Sequence, residues 1–200
     1  MASDEKPIPD WVNFPESVPT VSLWDALHDG DVLSIESDQL ARTVTLRFDV
    51  FYVRDFHRLP EETRFAIIVV GVQSARALHS VPWPGGCQIP PGAANDQQSI
   101  IIAEYHRKWR EESLSWTDFE RLNKDDFQVG NATLGRSPDV VTLQLGFLAG
   151  DDYITAYVRG EGATFHIGEN EVTIEEFLAL GEAYWNAFAK RASERKADSM

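Results

Sequence analysis

Asp25, His28, Asp29 and Asp31 stand close together in the chain, and carboxylates with an imidazole are the groups of a hard-metal site or an acid/base pair. The same residues also read as architecture. Asp29-Gly30 is a good turn, and His28 can cap the final carbonyls of a short helix. No second His–carboxylate pair in the chain has obvious metal spacing, so the turn reading is preferred. His28, Asp29 and Asp31 remain low-ranked metal candidates, and the expectation is no metal and no cofactor. His79 and His166 would end corresponding strands of two halves, and their imidazoles would meet in one cleft if a two-fold relates those halves. The simpler expectation is a strand-end imidazole bonded to a backbone carbonyl. Cys87, the single cysteine, sits between Gly86 and Gln88 with no base nearby in sequence, so an inert thiol is expected. There is no Lys-Ser/Thr phosphate loop, no His-Glu-x-x-His, no Gly-x-Ser-x-Gly and no calcium loop, and no catalytic residue is assigned.

The aromatic residues are better suited to binding than to catalysis. Pro82 and Pro84 flank Trp83 and hold it extended, while Trp109 with Arg110, and Trp116, frame a polar stretch. Trp83, Trp109, Arg110 and Trp116 are therefore candidates for a protein interface, against the alternative that the rings plug the core.

A formal charge of −14 argues against nucleic acid as a partner, since phosphate contacts need clustered Lys and Arg. It is compatible with a basic protein partner. Two local exceptions are His106 to Arg110, and Lys190-Arg191 with Arg195-Lys196; the second is read as cations at a helix C-terminus. The longest strongly apolar run, Phe65 to Val72, is too short to span a bilayer, and Met1 to Asp10 lacks the apolar core of a leader. The lone cysteine suits a reducing compartment, so a cytoplasmic protein that contacts no membrane is expected.

These side chains need elements to hold them. Residues 1–19, with four prolines, read as an irregular arm pinned by Trp11 and Phe14, and 20–196 as one domain. Ser22 to Asp25 can open a short helix that stops near Gly30. Strands are expected at Val32–Ser37, at Val44–Tyr52 by strict alternation, and as one central strand over about Arg64–Leu78. A Pro- and Gly-rich loop spans 81–96. Ile101, Tyr105 and Trp109 fall four apart, which predicts a helix from Gln97 to Glu112, although Ile100-Ile101-Ile102 prefers a strand. Ser115 can cap a second short helix containing Phe119. A further series follows at Phe127–Leu134, Val140–Leu148, Tyr153–Val158 and Thr164–Ile167. The last element is the most explicit. Ile174, Phe177, Leu178, Gly181, Tyr184, Trp185 and Phe188 share one helical face, behind a Thr173/Glu176 capping box. A helix to Ala189 is predicted to lie on a sheet, with Trp185 in the core. The fold class is thus α+β: two series of about three antiparallel strands with a long C-terminal amphipathic helix. Residues 20–96 and 97–196 read as two halves of a possible duplication.

Trp24 to Ile35, followed by a hairpin ending in Thr45-Leu46-Arg47-Phe48-Asp49, resembles the opening of small bacterial domains grouped with the immunity proteins of polymorphic toxin systems. The resemblance covers residues 24–49. It implies an antiparallel sheet and a role in binding and occluding a partner protein, with no catalytic residues to carry over. The leading expectation is a non-catalytic, immunity-type protein-binding module. The alternatives are a small metal-dependent hydrolase using the His28–Asp31 region, and a structural homodimer.

Overall fold

Alternating apolar residues build most of this chain into sheet. The computed structural model describes residues 14, 18–82, 86–106, 108–150 and 152–198, the side chains of 196–198 excepted. The first half carries β1 (Thr20–Ser22), α1 (Trp24–Leu27), β2 (Asp31–Asp38), β3 (Thr43–Asp49), α2 (Phe51–Phe56), β4 (Phe65–Val70) and β5 (Ser74–Val81). Next come α3 (Asn95–His106), β6 (Arg110–Leu114), α4 (Trp116–Arg121), β7 (Phe127–Ser137) and β8 (Val140–Ala149). The chain ends with β9 (Asp152–Gly160), β10 (Gly162–Ile167), β11 (Asn170–Val172) and α5 (Ile174–Asp198). The protein is α+β, with more sheet than helix. Among the described residues, no helix is long and apolar enough to cross a membrane.

Every strand pairing is antiparallel, in the order β11–β10–β4–β3–β2–β7–β8–β9–β5–β6, with β1 added on β7. Chain continuity closes this order into a ring. β4 runs through Gly71 into β5, β9 runs through Glu161 into β10, and the two bent segments pair with each other. Phe65 faces Ile167 at one end of this ribbon, and Ser80 faces Tyr153 at the other. At the bend, Gln73 N–H donates to Arg159 O and Glu161 N–H to Val70 O, each at 2.8 Å. A Cβ on Gly160 would stand 2.6 Å from the Val70 carbonyl oxygen, so only glycine allows the ribbon to cross here. The single strand expected over 64–78 is therefore two, because the chain must turn the corner at Gly71 (φ 61°) to follow the ring.

The inward positions are fully buried: Leu46, Phe48, Phe65, Ile67, Leu134, Leu143, Leu145 and Phe147 form the core of the ring. The element order of the two halves is alike. A short helix (α1 or α4) leads into a hairpin (β2–β3 or β7–β8), then into a bent strand. The halves differ where α2 is inserted between β3 and β4, while β8 and β9 meet at a turn around Gly150 (φ 61°).

Three expectations need correction. β3 stops at Asp49 rather than Tyr52, because Val50, Val53 and Arg54 become buried at helical spacing and wind the next six residues into α2. The helix expected to Glu112 stops at His106, since residues 110–114 form an edge strand on β5, with Glu112 opposite His79. None of the described α3 side chains is buried, so the Ile101/Tyr105/Trp109 spacing marks no core face.

The third concerns α5. Its capping box is present: Thr173 N–H donates to Glu176 Oε2 at 2.8 Å, and Glu176 N–H to Thr173 Oγ1 at 3.1 Å. Ile174 and Phe177 then pack on the ring, with Phe177 5.2 Å from the Phe165 ring and 5.9 Å from Phe65. Past Gly181 the helix leaves the sheet and lies over α1 and α2. Trp185 is half-buried there rather than in the core, its indole N–H bonded to the Asp25 carbonyl at 2.9 Å. The helix also runs to Asp198 instead of Ala189, which places Lys190 and Arg191 inside it rather than at its end.

Candidate functional site

The α1–β2 corner is fixed by backbone bonds to β7. Leu23 N–H donates to Ala132 O, Asp29 N–H to Val129 O, and Val129 N–H to Gly30 O, all at 2.9 Å. The His28 backbone closes α1 by donating to Trp24 O, while its ring lies tilted 4.1 Å from Trp24 and edge-on 5.9 Å from Trp185 instead of capping carbonyls. His28 Nδ1 is buried and lies 3.3 Å from Asp29 Oδ2, close enough for an ion pair but misaligned for a hydrogen bond. Asp31 is turned to the neighbouring strand, where it accepts from Gln128 Nε2 at 3.4 Å. Asp25 contributes its carbonyl to Trp185. The four residues therefore diverge. No group of three or more His, Cys, Asp or Glu among the described residues is arranged to hold a metal ion.

The two strand-end histidines do not share a cleft. His166 pairs with Ala66 and His79 with Ile154, at opposite ends of the bent ribbon. His166 Nε2 contacts Thr164 Oγ1 at 3.0 Å, and His79 Nε2 lies 3.3 Å from Asp152 Oδ2, so neither bonds a backbone carbonyl as expected. Cys87 is half-buried. Trp83 falls outside the described residues. Trp116 is held in place, packed 5.2 Å from Phe119 with its N–H bonded to Ser37 Oγ at 2.7 Å. Trp109 is half-buried against His106 at 4.8 Å, and exposed Arg110 pairs with Glu112 on the edge strand. Trp109 and Arg110 thus stand at the start of β6, and Trp116 opens α4 just beyond its end.

The structure assembles a different site between α2 and α5. Residues 184, 188, 191 and 195 follow one another at three- and four-residue steps, so they share the α5 face turned to α2. With Tyr52 and Phe56 they line a cleft of about 400 Å³. Tyr184 lies 4.7 Å from Tyr52, 5.7 Å from Phe56 and 6.2 Å from Phe188. The floor is tied down by His57 Nε2, 2.9 Å from Leu180 O, and by the Tyr52 hydroxyl donating to His28 O. The walls are not: Phe56 is 39% exposed and Phe188 50%. Four rings thus supply flat apolar walls, Arg191 and Arg195 supply cationic donors, and among the described residues no carboxylate lines the cleft.

Burial chiefly, with Asp29, Tyr184 and Asp25 adding to it, raises the Tyr52 phenol above its ordinary pKa of 10.0. A raised phenol contributes stability that is complete below pH 10 and is lost as pH climbs toward the folded-state value, because the unfolded chain releases its proton first. Stability measured in denaturant from about pH 9 to about pH 11 should therefore fall more steeply in the wild type than in Tyr52→Phe. Equal slopes would place Tyr52 in water rather than under α5.

The cleft leaves little trace in the sequence, where alternation predicts Tyr52 in a strand and the arginines read as a helix end. The spacing of Tyr52, Val53 and Phe56 was the available signal. No family model, no curated protein and no solved structure matches this chain.

Proposed function

We propose that this chain is a non-catalytic, immunity-type protein-binding module that presents the α2–α5 cleft to its partner. The exposed rings carry this reading. Phe56 and Phe188 line a formed cleft and are 39% and 50% exposed, and clustered exposed aromatics are the anchors of protein interfaces. The resemblance of residues 24–49 to immunity-type domains supports the reading, as does a net charge of −14, which favours a basic partner at long range. The like order of elements in the two halves supports duplication of a helix–hairpin–bent-strand unit as the origin of the ring.

The test is capture from native lysate by the wild type and by Phe56→Ala/Phe188→Ala, with melting temperature measured on both. A stoichiometric partner held by the wild type and lost by the double variant, at little changed stability, is the expected outcome. Capture that survives the double substitution would move the interface elsewhere. A concentration-dependent dimer that the substitutions dissolve would replace the partner by a second copy of the chain.

A further inference from the structure

Resting on that reading, we infer that the α2–α5 cleft accepts an acidic, apolar segment of the protein partner. Its carboxylates meet Arg191 and Arg195, and a Leu- or Phe-like side chain enters among Tyr52, Tyr184 and Phe188. Charge is the first reason. The chain holds 32 acidic and 18 basic side chains, yet among the described residues the cleft is lined by two guanidinium groups and no carboxylate.

Pairing is the second reason. Arg42, Arg47, Arg54, Arg64 and Arg110 each reach a carboxylate of this chain. Arg191 instead bonds only the Ala187 carbonyl, from Nε at 3.3 Å, and neither it nor Arg195 pairs with any carboxylate among the described residues; Arg58, Arg121, Arg136 and Arg159 share that condition, but only Arg191 and Arg195 line the cleft. Guanidinium donors fit carboxylates bidentately and can also stack on aromatic faces. Geometry is the third. The two arginines stand one helical turn apart, immediately beyond Phe188 on the same face, so an extended segment entering between the rings passes both. A partner that is basic overall and carries one acidic stretch satisfies both the long-range field and the local site, because screening confines each charge to about 8 Å at physiological salt.

The experiment is fluorescence anisotropy on the full chain with three labelled peptides of equal length. One alternates Glu with Leu and Phe, a second carries Gln for Glu, and a third carries Lys for Glu. Each is titrated against the wild type, Arg191→Glu/Arg195→Glu and Phe188→Ala. The wild type should bind the Glu peptide about tenfold or more tighter than the Gln peptide. The charge-reversed variant should lose that preference and gain affinity for the Lys peptide, with its melting temperature unchanged because both side chains are exposed. Equal binding of all three peptides, weakened by Phe188→Ala, would overturn the acidic segment while leaving the cleft as a docking site. Glu-peptide binding that ignores both variants, or no binding of any peptide, also overturns the inference. In those cases partner capture by the Phe56→Ala/Phe188→Ala variant decides separately whether the binding reading stands.

Discussion

Replacing Phe177 with Ala should remove about 3–5 kcal/mol of stability, the cost of emptying a fully buried aromatic site. Phe177 has no exposed surface, and its ring meets Phe165 of β10 at 5.2 Å and Phe65 of β4 at 5.9 Å. Those two strands pair with each other, so this one side chain pins α5 to the seam of the ring. The space it leaves cannot be refilled, because the backbones around it are held by ladder bonds on both sides. Phe188 on the same helix is half-exposed, and its replacement by Ala should cost under about 1 kcal/mol. Equilibrium unfolding in denaturant measures both. Similar losses at the two positions would mean that α5 is held along its whole length rather than at its start.

Gly181→Ala should cost about 3 kcal/mol, although alanine is the better helix former by about 1 kcal/mol. A Cβ at this position would stand 2.1 Å from the Asp25 carbonyl oxygen and 2.7 Å from the Ala26 Cα. Both are backbone atoms of α1, which is itself bonded to β7, so neither can swing aside as a side chain would. The helix must lift, and the Trp185 bond to Asp25 O lengthens with it. Loss of stability together with altered near-ultraviolet dichroism of Trp24 and Trp185 is expected. A variant as stable as the wild type, or more so, would show that α1 and α5 are farther apart than described here.

Local pattern made some of this legible. Alternation alone locates β8 and the body of β3, since period-two burial is a property of each strand by itself. Thr173 and Glu176 locate the start of α5 for the same reason: a capping box involves residues three apart. What local pattern does not carry is the partner of each strand. Phe65 meets Ile167 from about a hundred positions away, and nothing in either segment names the other. The kink at Gly71 is invisible for this reason, being demanded by the ring and not by the apolar run it interrupts. α2 was lost because the β3 alternation continues into Phe51 and Tyr52 by coincidence of residue type, while the helix buries an arginine, Arg54, against Asp49. The cleft needs both α2 and the full length of α5. With Tyr52 in a strand and α5 ending at Ala189, Phe56, Arg191 and Arg195 had no reason to meet.

The crossing at Gly160 also governs the order in which the chain can assemble. The hairpins β2–β3 and β7–β8 join near neighbours and lose little entropy on closing, whereas the ribbon of β4–β5 with β9–β10 must gather a loop of about 100 residues first. Contacts so distant in sequence form slowly. Until then β4 has an open edge of Phe65, Ile67 and Val69 beside unpaired amides. On a ribosome this edge waits for nearly the whole of the second half to be made, so synthesis rate and early self-association compete for the same strand.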